Sequence, residues 1–282
     1  MAVASAFARR GREVLVIDDS LVAGGVLRAL DEVGVRPWRT IFDAFARDVA
    51  SGAVTLRCET TAGGFYGNDL LVVSAKPRAQ AEGQARRADD AIGAEVIEAR
   101  AFVIATGAHD GVLAFEGNDL PGVMSARAAG WLLSRGVLAG QKVVVVVSDG
   151  GGPFGEAYAR GAARMRAPCE VLLVHGEPVR ARGSSRVKGI SVRVGRKSAP
   201  GDATAKAIDY TADAVLIDAP RSPSYELCEQ AGATLDHRPE GFVARTLRGK
   251  LRDGVWAIGE VTGTPLDPVR IARAAEEIAS QA

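Results

Sequence analysis

Residues 142–155 read KVVVVVSDGGGPFG, and this stretch decides how the remainder of the chain is organised. Val143 to Val147 form an unbroken β-branched run, the pattern of a strand covered on both faces of a parallel sheet. Three glycines follow, and then the helix-forming run EAYARGAAR. Gly150, Gly152 and Gly155 fit the spacing G-x-G-x-x-G between a strand and a helix, the context this pattern requires. Gly150 allows the tight turn, Gly152 lets backbone approach a pyrophosphate, and Gly155 lets the helix lie close to the sheet. The first N–H groups of such a helix point at anionic phosphates. Pro153, near the helix start, loses no useful donor. The other reading is a glycine-rich strand–helix turn that holds no ligand. The next strand, EVLLVHGEP (170–178), keeps both open: it ends in His175 where an acid reading a ribose is expected, and Glu177 comes two residues late. Arg180 and Arg182 suit either a 2′-phosphate or solvent.

Towards the N-terminus the same kind of unit is entered midway. In MAVASAFARRGREVLVIDD (1–19), residues 2–10 have a small, helix-forming face with Val3 and Phe7 one turn apart. Gly11 stops the helix, residues 13–17 form a short strand, and Asp18 sits at its end. A helix, a strand and a terminal acid are the last two-thirds of a dinucleotide-binding βαβ unit. The expectation is a reading frame that continues upstream with a hydrophobic strand and a glycine loop. Gly24 and Gly25 follow, then a helix over RTIFDAFARDVASG (39–52), with Ile41, Phe42, Phe45 and Val49 inward. Three β-type runs come next: AVTLRCETTA (53–62), DLLVVSA (69–75) and EVIEARAFVIATG (95–107). Between the last two, residues 76–93 read as an exposed polar excursion. Strands in succession without helices predict a small antiparallel insertion.

Beyond the excursion, VIATGAHD (103–110) ends a strand in Ala105-Thr106-Gly107, a turn small enough to lie against a cofactor. His109 and Asp110 read either as an acid–base pair or as a surface pair. SARAAGWLLSRGV (125–137) is a helix, the alternation from Arg180 to Asp209 a second antiparallel patch, and ADAVLIDAP (212–220) a further buried strand. In VWAIGEVTG (255–263) a strand ends at Gly259-Glu260, where a carboxylate can accept bonds from sugar-type hydroxyls or simply face water. Asp267 is the expected N-cap of the last helix, with Pro268 its first residue.

Composition bounds the function. The 282 residues are 47% hydrophobic, 24% charged and 5% aromatic, with a formal net charge of +1. That balance offers no electrostatic attraction for nucleic acid or an anionic membrane. No run is long enough to span a bilayer. The first residues place their charges after the apolar stretch, the reverse of a secretory signal, so the expected location is cytoplasmic. Cys58, Cys169 and Cys228 include no C-x-x-C and no metal-ligand spacing, which leaves reduced structural thiols and no metal site as the expectation.

The pieces TTAGGFYGNDLLVV (60–73) and ATGAHDGVLAFEGNDLPGVMSARAAGWLLSRGVLAGQKVVVV (105–146) resemble the two-dinucleotide-binding-domain flavoproteins, the group related to thioredoxin and glutathione reductases. Within it they are most similar to the α subunit of heterotetrameric sarcosine oxidase and to related subunits of hydrogen cyanide synthase, opine oxidase and dye-linked proline dehydrogenase. The resemblance implies an α/β fold of two Rossmann-like domains, the second inserted in the first, each with a small antiparallel insertion, and the first incomplete at its N-terminus. The implied boundaries are 1–115 plus 238–282 for an FAD-type domain and 116–237 for an NAD(P)-type domain. By the resemblance Asp18 holds the adenosine ribose, and Gly24 and Gly25 lie beside the pyrophosphate or ribityl chain. Ala62 offers backbone to the adenine, Thr106 and Gly107 flank the cofactor, and Gly259 with Glu260 occupies the place of a ribityl-binding Gly-Asp. FAD is the usual nucleotide of these relatives, NAD that of the sarcosine oxidase α subunit, whose flavins sit in the β subunit and at the subunit interface. The implied function is an oxidoreductase subunit that passes hydride or electrons between an amine- or imino-acid-oxidising partner, FAD and NAD(P). The implied partner is a catalytic β-type flavoprotein subunit. A cofactor-free scaffold subunit and a stand-alone NAD(P)H-dependent reductase are the alternatives.

Overall fold

The computed structural model describes residues 1–30, 38–74, 93–194, 207–239 and 241–282. Apart from Gly93, the excursion read over 76–93 lies outside the described residues. The chain divides into two compact units: Met1–Gly25, Arg36–Ala108 and Pro223–Ala282 form the first, and Val26–Val35 with His109–Ser222 the second. The chain thus passes between the two units four times, at 25/26, 35/36, 108/109 and 222/223.

The second unit is built on a four-stranded, all-parallel sheet in the order Glu170–His175, Lys142–Val147, Ala214–Asp218, Val123–Ser125. The valine strand is central and pairs on both sides, so its side chains must be apolar on both faces. Val143 to Val146 are each at most 1% exposed, and full burial of each contributes about 1.5–3 kcal/mol of transfer free energy. Val144 and Val146 pack with Val187, Ile190 and Val192 of an antiparallel three-stranded sheet, Glu177–Gly183, Val187–Arg193 and Ala207–Thr211. Val145 and Val147 face the helix Phe154–Arg164. The helix Ala126–Leu133 starts where predicted, with Ser125 as its N-cap accepting from the Ala128 N–H at 3.0 Å.

The first unit has its parallel pairing in two separate pieces. Val14–Ile17 pairs with Val54–Arg57, and Phe102–Ile104 pairs with Val255–Ala257, which also carries Lys250–Arg252 antiparallel. The helices Ala2–Ala8 and Pro268–Gln281 pack together through Val3, Ala6, Phe7, Ala275 and Ile278, over Trp256 and Ile258. Arg9 and Arg10 both reach Glu276 across this helix pair. Asp267 caps the last helix as expected, accepting from the Val269 and Arg270 N–H groups. The helix Trp38–Ala50 buries Phe42 and Phe45 with Trp38, whereas Ile41 and Val49 stay half-buried. The antiparallel insertion comprises Thr60–Tyr66, Asp69–Ser74 and Gly93–Ile97. The run read as one strand over 95–107 is two: Ile97 pairs with Leu70 in the insertion, and Phe102 pairs with Val255 in the parallel sheet.

A close approach in the second unit makes the packing testable. A Cβ at Gly130 would lie 2.6 Å from the Ala29 carbonyl oxygen, on the helix Val26–Ala29 that packs there. Gly130→Ala is expected to cost about 1–3 kcal/mol through forced backbone displacement, read as a lower midpoint in urea unfolding. Gly67→Ala, where nothing lies within 4 Å of the added atom, supplies the comparison for φ strain alone, since Gly67 has φ +67°.

Candidate functional site

The glycine bend predicted at the end of the valine strand is present, and its geometry is specific. Gly150 has φ +71°, and the Gly151 N–H donates to the Ser148 carbonyl at 2.9 Å. The Gly155 Cβ position is 2.8 Å from Val145 Cγ1 and 2.9 Å from Val147 Cγ2, so only glycine lets the helix sit this close to the sheet. Gly151, which falls between the motif positions, is the most confined of the three consecutive glycines. A Cβ there would be 2.3 Å from the Asp218 carbonyl oxygen and 2.8 Å from that of Ser148.

Asp218 closes the neighbouring strand and is the acid that sequence reasoning missed. It is 3% exposed. Its Oδ2 accepts from the Gly155 N–H at 2.7 Å, and its Oδ1 from the Gly152 N–H at 3.1 Å. Its main-chain oxygen accepts from the Ser148 N–H and hydroxyl, at 3.0 and 3.2 Å. Burial pushes the carboxyl above the usual aspartate range, against the opposing pull of the Gly155 and Gly152 N–H groups and the Arg221 guanidinium. Arg221 stacks over the Phe154 ring, 4.7 Å from its centroid. The signal in the sequence was a buried strand, AVLID, that ends in an acid, since a carboxylate is buried only with donors to receive it.

The neighbouring polar groups are also committed. Asp110 accepts from the Ser125 hydroxyl at 2.6 Å and pairs with Arg127. Together with Phe154, Asp218 and Arg221 these three line a recess of about 10 Å³, roughly the room of one water. Arg180 pairs with Glu116 at 3.2 Å; Arg182 pairs with Asp209 at 3.1 Å and donates to the Tyr210 carbonyl. His175 ends its strand exposed.

In the first unit the parallel strands Phe102–Ile104 and Val255–Ala257 end side by side, the Ile258 N–H donating to the Ile104 carbonyl at 3.0 Å. This brings together four of the predicted residues: Thr106, Gly107, Gly259 and Glu260. Gly107 has φ +73°, and a Cβ there would be 3.9 Å from Glu260 Oε2. Gly259 has φ 86° and ψ −151°, a region essentially restricted to glycine, and nothing lies within 4 Å of its Cβ position. The Thr106 hydroxyl donates to the Ser224 carbonyl at 2.7 Å, and the Ser224 N–H donates to the Gly107 carbonyl at 3.0 Å. Thr106 therefore fixes the turn. Glu260 opens the short turn Glu260–Thr262, held by the Thr262 N–H and hydroxyl on the Gly259 carbonyl. Asp18 follows Val14–Ile17 and accepts from the Ser20 N–H at 2.9 Å. Gly24 and Gly25, at φ +132° and +49°, precede Val26, and Ala62 lies opposite Val72 at a bulge in the insertion.

The family model for pyridine nucleotide-disulphide oxidoreductases matches residues 1–279. Two curated relatives are sarcosine oxidase subunit alpha of Corynebacterium sp. strains U-96 and P-1. They are 29% and 31% identical over 156 and 153 residues, each alignment covering 53% of this chain and 16% of the relative. Among solved structures, L-proline dehydrogenase from P. horikoshii superimposes with TM-score 0.73 at 18% identity, covering 99% of this chain and 52% of that one. Lactococcus lactis thioredoxin reductase gives 0.65 at 14% identity, with 99% and 93% covered. At these identities the solved structures show the fold: a mixed α/β chain of the FAD/NAD(P)-binding Rossmann type. Among the described residues no helix is long and apolar enough to cross a membrane.

Two measurements check the electrostatics. With the Asp218 pKa raised on folding, its titration favours the native state most below the ordinary value of 3.8 and loses that contribution as pH rises through the folded value. The stability advantage of the wild type over Asp218→Asn is therefore expected to shrink as the pH is raised from about 4 in urea unfolding. Cys228 is 0% exposed, and burial, with Glu226 adding, pushes its thiol up to about 12. It is expected to resist alkylation at neutral pH in the native protein and to react on unfolding.

Proposed function

The chain belongs to the pyridine nucleotide-disulphide oxidoreductase family, and from that premise we propose that it is a flavoprotein-type oxidoreductase subunit of the sarcosine oxidase α kind, with FAD held by its first unit. The carrying observation is the pair of parallel strand ends at 105–107 and 258–260. They offer two positive-φ glycines, Gly107 and Gly259, with open backbone beside the Glu260 carboxylate. That arrangement suits a flavin nucleotide: glycine lets backbone approach the ring system and the ribityl chain, and the carboxylate accepts bonds from ribityl hydroxyls.

In this reading Asp18, at the end of its strand, receives the adenosine ribose, and Gly24 with Gly25 keeps the following turn free of side chains beside the phosphates. Ala62 offers main-chain groups to the adenine. The Thr106–Ser224 bond fixes the turn that flanks the flavin. Bound FAD supplies the redox chemistry by accepting a hydride equivalent and releasing electrons to an acceptor. The protein binds, orients and shields. The substrate class is an amine or imino acid, reached through a catalytic partner subunit; the relatives named as subunits of sarcosine oxidase support this. The matched region is 16% of those relatives' length, so their remaining parts have no counterpart in the alignment.

Titration of the full chain with FAD, followed by flavin fluorescence, is expected to show saturable uptake and a yellow protein. Gly259→Ala, which carries a strain of about 1–3 kcal/mol, is expected to weaken uptake about tenfold or more. Gly107→Val is expected to abolish it through occupation of the space beside Glu260. Protein that takes up no FAD overturns the reading.

A further inference from the structure

We infer that the glycine bend of the second unit is closed to dinucleotides by Asp218, whose carboxylate occupies the place on the helix N-terminus that a pyrophosphate would take. The fold family implies NAD(P) at such a bend, and the residues present do not fit it. At the start of this helix, where free N–H groups would face a phosphate, the amides of Gly152 and Gly155 are each bonded to one oxygen of the same carboxylate. The bidentate arrangement satisfies both donors from within the chain. An incoming pyrophosphate would meet a fixed negative group at contact distance on a surface of low dielectric.

Three further observations point the same way. The residue is anchored through its main chain, since the Asp218 carbonyl accepts two bonds from Ser148 and packs where any Cβ on Gly151 would stand, and the residue is 3% exposed. The Arg221 guanidinium, stacked on the Phe154 ring, has its Nε 3.6 Å from where a Cβ on Gly152 would stand, and the adjoining recess has about the volume of one water. The positions that would read a ribose or a 2′-phosphate are exposed or committed, with His175 at the strand end and Arg180 and Arg182 in ion pairs. Asp218 is therefore the specificity-determining residue of this unit. Redox exchange with a pyridine nucleotide does not run through this bend, and the unit keeps the nucleotide fold as a frame. None of this depends on flavin uptake by the first unit.

The test is amide hydrogen exchange of the full-length protein, followed in peptides covering 148–157, with and without NAD⁺, NADP⁺ or inorganic pyrophosphate. In the wild type these peptides are expected to exchange slowly and to change less than about twofold with any of the three. In Asp218→Ala the Gly152 and Gly155 amides are expected to exchange about tenfold or more faster, as fits the loss of two bonds to a charged acceptor, and pyrophosphate is expected to slow them again. A nucleotide footprint on 148–157 in the wild type overturns the inference, as does exchange in Asp218→Ala that stays as slow as in the wild type or is not slowed by pyrophosphate. The wild-type arm stands alone if the variant does not fold. Flavin binding elsewhere leaves this peptide unchanged, so failure here and failure of the flavin reading are separately visible.

Discussion

The second unit depends on one main-chain constraint: the turn after the valine strand must pass closer to the end of the adjacent strand than a Cβ permits. Gly151 meets the Asp218 carbonyl there, and Gly155 meets Val145 and Val147 one helical turn further on. Because these contacts are backbone to backbone and backbone to β-branched side chain, the glycines set the height of the helix Phe154–Arg164 above the sheet. Once that height is set, the first N–H groups of the helix point into a closed corner, and each needs an acceptor. The Asp218 carboxylate meets the need for Gly152 and Gly155. Packing and electrostatics are thus solved by one residue, through its main-chain oxygen and its side chain together.

The first unit solves a related problem with open space. Its parallel strand ends at 105–107 and 258–260 are also shaped by glycine, yet nothing lies within 4 Å of the Cβ position of Gly259, and that of Gly107 is 3.9 Å from a Glu260 carboxylate oxygen. The same fold therefore presents a filled corner in one unit and an uncovered one in the other. The contrast lies in what the glycines face: main chain and β-branched side chains in the second unit, free volume in the first.

Much of this was legible in the chain itself. A five-valine run can only be a doubly covered strand, Asp267-Pro268 can only begin a helix well, and glycines at 150, 152 and 155 mark a strand–helix bend. The resemblance carried by residues 60–73 and 105–146 also agrees with the family match over 1–279. What was not legible depended on tertiary pairing. Residues 95–107 look like one β run, but the break at Glu98–Arg100 sends its halves to different sheets, and periodicity does not record which strand a residue will meet. For Asp218 the local signal is limited to an acid that ends a buried strand. Its meaning arises only when that strand lies beside the valine strand, 63 residues from the amide of Gly155 it receives. Arg180 and Arg182 were ambiguous for the same reason: their partners Glu116 and Asp209 are distant in sequence.

An acceptor covalently carried by the chain differs from a diffusible one in its effective concentration, which is fixed by the fold and never diluted. A corner completed by a metabolite gains its stability only when that metabolite is abundant, by mass action. With Asp218 in place, the Gly152 and Gly155 amides have an acceptor supplied by the chain itself as soon as the two strands pair.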